Sequence, residues 1–210
     1  MLLSIDTSAG TSVALTRTKG VPAVAEVASS DTMKHAEVIG TMIADVLTQL
    51  DAEPHDVTGV VAGVGPGPFT GLRVGLAAAS AFAVGRNVPL LPVVSHDAIA
   101  FDALEEVDGP VIVVTDARRR EYYWSVYDGW TEQGLPRRIV GPALSNPDEV
   151  PTEHDGRALT PWDATEVSAG LLGLIASRML AAGIPFEPFE PLYLRSPDVT
   201  MPNAPKRVNS

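Results

Sequence analysis

Gly63-Val64-Gly65-Pro66-Gly67-Pro68-Phe69-Thr70-Gly71-Leu72-Arg73-Val74-Gly75 is the stretch on which the fold turns. An apolar run over residues 57–64 stops at glycines and prolines, and a run of small residues over 72–84 follows directly, which predicts a strand, a tight loop and a helix. Gly65 and Gly67 allow backbone angles closed to other residues, Pro66 and Pro68 fix the angles between them, and Thr70 is placed to cap the helix. The amides of such a helix start can hold an anion; glycine-rich strand-to-helix turns also occur in α/β proteins that bind nothing there. A Walker loop needs a Gly-Lys-Ser/Thr ending, and here Gly71 is followed by Leu72 and Arg73. The glycine spacing does not match GxGxxG, and no acidic residue ends a strand about 20 positions on, so nicotinamide binding is not expected.

Working outward, 210 residues with 45% hydrophobic content are enough for one large domain or two small lobes. The absence of cysteine removes disulfides, thiolate catalysis and cysteine-ligated zinc, and the cytoplasm is the expected location. The apolar start at residues 1–5 is too short for a signal peptide, and no run approaches the roughly 18 apolar residues of a membrane span. A net charge of −11 opposes a polyanion unless basic groups are gathered on one face. The one dense cluster, Arg118-Arg119-Arg120, reads as a solvated turn, so tight binding of nucleic acid by this chain alone is disfavoured.

Residues 2–5, 12–16 and 23–27, separated by Ala9-Gly10 and Lys19-Gly20, read as three antiparallel strands. Asp6-Thr7-Ser8 ends the first; it suits either a phosphate-bound metal or an Asx turn that caps the hairpin. Val38, Ile39, Met42, Ile43, Val46, Leu47 and Leu50 recur at helical spacing and predict an amphipathic helix over 35–50. His35 and Glu37, two apart at its start, fall on different faces and read as surface residues. A strand is expected over 88–94, with Ser95 capping a helix over about 96–104. Residues 111–115 form another strand, ending at Asp116, and the aromatic stretch 121–127 pairs back on it, echoing the opening of the chain. A strand at 138–140, a short helix after Ser145, and a helix over 167–182 stopped by Gly183 and Pro185 complete the pattern. The expected division is a first lobe at 1–105, a smaller second lobe at 106–195, and a disordered tail at 196–210.

Leu3-Ser4-Ile5-Asp6-Thr7-Ser8, His35 heading the first helix, the run from Gly65 to Gly75 with its Phe69-Thr70-Gly71-Leu72-Arg73 continuation, Asp116-Ala117-Arg118 and Pro191-Leu192-Tyr193-Leu194-Arg195 together resemble the TsaB (YeaZ) family, the paralogue of the TsaD/Gcp proteins. The resemblance implies the two-lobed α/β fold shared by actin, sugar kinases and Hsp70, with a reduced second lobe. It implies a role in making threonylcarbamoyladenosine beside the anticodon of tRNAs that read codons beginning with A, in a complex with TsaD and TsaE. TsaD does the transfer chemistry in that family, using a metal held partly by a His-x-x-x-His pair. His96 matches the first histidine and Ala100 stands where the second would be, so the metal site is expected to be lost, because one imidazole does not replace two. His35, His55, His96 and His154 show no metal-ligand spacing, and no Ser-His-Asp motif stands out.

The expectation is therefore a non-catalytic scaffold subunit without metal or cofactor, meeting TsaD and TsaE homologues, touching tRNA only through the complex, and self-associating when alone. Its partner surface is placed on Val38, Ile39, Met42, Ile43 and Val46 of the first helix and on Gly71, Gly75 and Ala79, a small-residue stripe that lets another helix approach; small residues equally pack a helix on its own sheet. The alternative is a nucleotide-dependent kinase or ATPase, with Asp6, Gly65 and Gly67 at the phosphates, Arg73 as the cation and Asp116 as the second carboxylate.

Overall fold

Hydrophobic alternation in β1 (Leu2–Asp6), β2 (Thr11–Arg17) and β3 (Ala23–Ser29) builds the expected antiparallel meander, with Leu3 opposite Leu15 and Ile5 opposite Val13. The computed structural model describes residues 1–17, 23–31 and 34–195; the Lys19-Gly20 turn and the 196–210 tail lie outside the described residues. The chain continues through α1 (His35–Gln49), β4 (Gly59–Gly63), α2 (Phe69–Arg86), β5 (Leu90–Val93) and α3 (Ser95–Glu106). β4 pairs parallel to β1, and β5 parallel to β4, giving the order β3-β2-β1-β4-β5. β1 and β4 are buried along their whole length because helices cover both faces, as parallel pairing requires.

The second half repeats the plan in shorter form. β6 (Pro110–Asp116), β7 (Tyr122–Trp130) and β8 (Pro136–Ser145) form a second meander. After a small hairpin of β9 (Glu153–His154) and β10 (Arg157–Ala158), β11 (Thr160–Asp163) pairs parallel to β6, as β4 does to β1, giving β11-β6-β7-β8. Only a single 3-10 turn, Pro147–Glu149, lies between β8 and that hairpin, so this lobe has no counterpart of α1. The strand expected at 138–140 extends to ten residues.

α4 (Ala169–Ala182) starts where Ser168 Oγ accepts the Leu171 amide, and stops at Gly183, whose φ of 67° is left-handed. Although it comes from the C-terminal part of the chain, α4 packs on the first sheet. A Cβ on Gly173 would lie 2.4 Å from Thr16 Oγ1 and 2.8 Å from Ser4 Oγ. Glu26 on β3 accepts hydrogen bonds from Ser12 and Ser168 at the helix N-terminus, where negative charge is favourable. One core lies between the first sheet and α1 and α2, around Leu3, Ile5, Val46 and Ala79. Another joins both sheets through α3 and α4, around Leu2, Val61, Phe101, Val113, Tyr127 and Leu172.

Two expected caps are absent. α2 is preceded by Pro68 and takes no side-chain cap, with Thr70 exposed one residue inside the helix. Ser95 is the first residue of α3, and its hydroxyl is used elsewhere.

Candidate functional site

The glycine loop is shaped by what presses against it. Asp6 ends β1 in an Asx turn: its Oδ1 accepts the Ser8 amide at 2.8 Å and the Ser8 hydroxyl at 2.6 Å. Its Oδ2 accepts the Ser95 hydroxyl at 2.5 Å, and Ser95 Oγ in turn accepts the Gly65 amide at 3.1 Å. The end of β1, the loop after β4 and the start of α3 are thereby tied through one carboxylate. A Cβ on Gly63 would stand 1.8 Å from Asp6 Oδ2, and one on Gly75 would stand 2.1 Å from Thr7 Oγ1, which donates to the Gly71 carbonyl at 2.8 Å. A Cβ on Gly67 would stand 2.7 Å from Ser8 Cα and one on Gly71 2.6 Å from the Thr7 carbonyl, whereas Gly65 is needed for its φ of 96°. The glycines let α2 and its loop lie directly on the Asp6-Thr7-Ser8 turn.

Asp6 is 1% exposed, with three of its lone-pair sites taken by named donors. Burial pushes its carboxyl up, and the Ser8 and Ser95 hydrogen bonds oppose the rise. The capping-turn alternative for Asp6-Thr7-Ser8 thus describes the geometry. Gly65 and Gly67 lie beside it, but Arg73 and Asp116, the other residues assigned to a nucleotide, are not gathered around it. Arg73 stacks its guanidinium 3.7 Å from the Phe69 ring and donates to Tyr193 Oη at 3.0 Å, on the surface of α2. Asp116 is exposed and accepts the amide of Arg118 at 2.8 Å, the same Asx device as Asp6. A second-lobe side chain that does reach the loop is Tyr123, whose hydroxyl donates to the Gly67 carbonyl at 3.3 Å.

His35 is a correction to the surface assignment. It is buried, with Nδ1 2.6 Å from the Thr11 hydroxyl, because the β1–β2 hairpin reaches over the start of α1; Glu37 is exposed as expected. Burial lowers the His35 pKa, opposed by the charges of Asp31 and Asp6.

His96 lies in the shared core, fully buried, with Nδ1 2.8 Å from Ser125 Oγ and Nε2 2.9 Å from Thr115 Oγ1. Burial, helped by the Arg138 charge, lowers its pKa to about 3, so the ring is neutral and both nitrogens are engaged by the second sheet. Ala100, one turn on, is also buried. These residues do not fit a two-imidazole metal site, and among the described residues no three His, Cys, Asp or Glu side chains converge.

Asp97, Tyr127 and Arg138 were not singled out by sequence. Tyr127 Oη donates to Asp97 Oδ1 at 2.7 Å, Arg138 Nε lies 3.5 Å from the same oxygen, and Arg138 Nη2 reaches Glu187 at 3.1 Å. Burial pushes both the Asp97 carboxyl and the Tyr127 phenol up. The available signal was a second polar residue beside His96 at a helix start. His96 and Asp97 fasten α3 to the second sheet as Ser95 fastens it to the first.

The residues assigned to a partner surface face inward. Ile39, Met42, Val46 and Ala79 are buried, Val38 and Ile43 pack on the same core, and Gly71 and Gly75 meet Thr7. The opposite faces are open: Gly40, Thr41 and Ala44 on α1, and Arg73, Ala77, Ala81 and Val84 on α2, with Val84 78% exposed.

At the tip of the β6–β7 hairpin, Arg118, Arg119 and Arg120 are exposed and all left-handed, with φ of 65°, 56° and 63°. Left-handed backbone costs an L-residue about 1–2 kcal/mol. The turn is held by Ala117 N donating to Glu121 O at 3.0 Å, and by Glu121 N donating to Arg118 O at 3.1 Å.

Fold and joint define a two-lobed protein of the actin-like class whose glycine loop is covered by its own chain. The family described as TsaD, tRNA N6-adenosine threonylcarbamoyltransferase, matches over residues 21–158. An uncharacterized protein of Mycobacterium tuberculosis is 35% identical over 209 residues, covering 94% of this chain and 92% of that protein. The Bacillus subtilis tRNA threonylcarbamoyladenosine biosynthesis protein TsaB is 31% identical over 143 residues, 66% of this chain and 61% of that one. The solved structure of YeaZ from Pseudomonas aeruginosa superposes with a TM-score of 0.77 at 26% identity, covering 92% of this chain and 99% of that one. The chain belongs to the TsaD family, in its TsaB (YeaZ) branch. Among the described residues no helix is long and apolar enough to cross a membrane.

Proposed function

We propose that this chain is the non-catalytic subunit that holds a TsaD-type transferase in a productive state for making N6-threonylcarbamoyladenosine in tRNA, and that it works in the cytoplasm with TsaD and TsaE homologues. The observation that carries the proposal is the state of the inter-lobe joint. Asp6, Ser95 and His96, where the actin-like class would do chemistry, are buried and engaged as fasteners: Asp6 and Ser95 bond each other and tie α3 to the first sheet, and His96 bonds Ser125 and Thr115 of the second. The kinase or ATPase alternative needs an Asp6 carboxylate open to a metal and an Arg73 turned to phosphates, and the geometry favours neither.

The partner surface is best placed on the outward faces of α1 and α2. Gly40, Ala44, Ala77 and Ala81 keep those faces low enough for other helices to approach closely, and Val84 supplies apolar area. The same faces serve self-association of the isolated chain. The test is co-purification with the TsaD homologue and assay of tRNA modification with TsaE and a threonylcarbamoyl donor, for wild type and for Ala77→Glu/Ala81→Glu. Expected is a wild-type complex that modifies tRNA, and a folded variant that neither captures TsaD nor supports modification. Modification by this chain without TsaD overturns the proposal; unchanged capture by the variant overturns the placement.

A further inference from the structure

The sequence pattern dismissed Arg118-Arg119-Arg120 as a solvated turn, and the structure shows what surrounds it. The C-terminal segment runs from α2 to the hairpin tip. Leu192 N donates to the Val64 carbonyl at 2.9 Å, Tyr193 holds Arg73, and Arg195 pairs with Glu121 and donates to the Arg118 carbonyl at 3.3 Å. Tyr193 and Arg195 are two residues apart, about 7 Å of extended chain. Arg73, Arg195, Arg118, Arg119 and Arg120, five of the fifteen Lys and Arg in a chain of charge −11, therefore lie along one rim. Aromatic rings are set among them: Phe69 48%, Tyr193 38% and Tyr122 37% exposed. Among the described residues, Asp116 accepts from its own turn and Glu121 is paired with Arg195, and Arg118 and Arg119 have partners of their own.

We infer that this rim is an RNA-binding track, the arginines contacting phosphates and the half-exposed rings stacking on unpaired bases. The choice of RNA rests on the proposed role in tRNA modification. Three observations favour it over an acidic protein surface. Guanidinium groups interleaved with exposed aromatic rings suit single-stranded RNA, whose bases are free to stack. The arginines at the tip occupy a pinned hairpin turn, which sets their Cα positions in one backbone conformation. The track also ends at Arg73 and Phe69, at the start of α2, where the proposed partner face begins, so RNA lying along it meets the seam with the transferase. Five arginines on a strongly acidic chain bind weakly alone, and the contact operates in the assembled complex.

The experiment uses the complex of this chain with its TsaD homologue and a fluorescent anticodon stem-loop RNA, with anisotropy measured across a salt series. Arg119→Gln/Arg120→Gln removes two charges without reversing them; Tyr122→Ala removes a ring and no charge. Circular dichroism and TsaD co-purification establish that each variant is folded and assembled. Loss of two phosphate contacts should make the slope of log affinity against log salt shallower by about 1.4, at about 0.7 per contact on a single strand, and weaken binding about tenfold near 0.1 M salt. Tyr122→Ala should weaken binding with the slope unchanged.

Wild-type affinity and slope in the arginine variant, in a complex that modifies tRNA normally, overturn the track while leaving the proposed function intact. Unchanged RNA binding with loss of TsaE from the complex assigns the rim to a protein partner and overturns it equally. Failure of the wild-type complex to modify tRNA overturns the functional proposal instead, and failure to bind the stem-loop overturns the inference.

Discussion

The neutral His96 ring makes a prediction about acid stability. The folded ring titrates at about 3 because it is buried between Thr115 and Ser125, while an unfolded histidine titrates near 6.5. A folded pKa below the unfolded one means that protons bind the unfolded chain preferentially. The contribution is fully present above pH 6.5 and is lost as pH falls toward 3. At 1.36 kcal/mol per pH unit, about 2 kcal/mol is lost between pH 7 and pH 5 from this residue, rising to about 4 kcal/mol by pH 3. Asp6 and Asp97, whose carboxyls are pushed up by burial, act with the opposite sign and gain folded-state stability on acidification, so the wild-type profile alone is a mixture. His96→Gln isolates the histidine, because an amide also offers one acceptor and a donor and does not titrate. Urea unfolding at pH 7, 6 and 5, followed by circular dichroism and by tryptophan fluorescence with coincident transitions, should show the stability advantage of wild type shrinking by about 2 kcal/mol from pH 7 to pH 5. A gap that is the same at both pH values would mean that His96 is not held neutral, and the account of the lobe joint would fail with it.

Two further substitutions probe the packing. Gly75→Ala places a methyl against Thr7 Oγ1 and should cost about 1–3 kcal/mol by overpacking, whereas Gly40→Ala, with nothing within 4 Å of the new methyl, should stabilise by about 0.5–1 kcal/mol; equal effects in urea unfolding would contradict the contact geometry. Glu26→Ala removes the acceptor for Ser12 and Ser168 and the charge at the N-terminus of α4, with an expected loss of about 1–2 kcal/mol and faster amide exchange in α4; exchange confined to β3 would show that the helix is anchored elsewhere.

The elements that sequence predicted well carry their own periodicity. β1 to β3 alternate, α1 repeats at helical spacing, and α4 ends at a glycine that is left-handed. The misreadings share a different cause, namely partners that arrive from far along the chain. Ser95 stands where a cap is usual, and its hydroxyl is taken by Asp6, 89 residues away. His35 looks exposed from the helix alone and is covered by Thr11, 24 residues back. The Gly71, Gly75 and Ala79 stripe was legible as a close contact, but small residues do not say which side the neighbour is on, and Thr7 of the same chain takes the place a partner was expected to fill. β11 offers four residues with a proline inside, a pattern tolerated because it is an edge strand, and its pairing with β6 leaves no trace in local pattern.

The two halves show how one local device serves opposite ends. In each, the first strand of the meander ends in an aspartate whose Oδ1 accepts the amide two residues on, Ser8 in one and Arg118 in the other, both at 2.8 Å. In the first half the turn is covered by α2, whose glycines leave no room for a ligand between helix and turn, and the carboxylate becomes a fastener. In the second half there is no helix counterpart to press on the turn, so the following residues stand in solvent, and three consecutive arginines occupy backbone that glycine or asparagine would adopt more cheaply. A turn selected only to reverse the chain has no use for that cost. The proposed RNA track and partner face accordingly lie at the hairpin tip and along the helix faces, away from the buried joint that Asp6, Ser95 and His96 close.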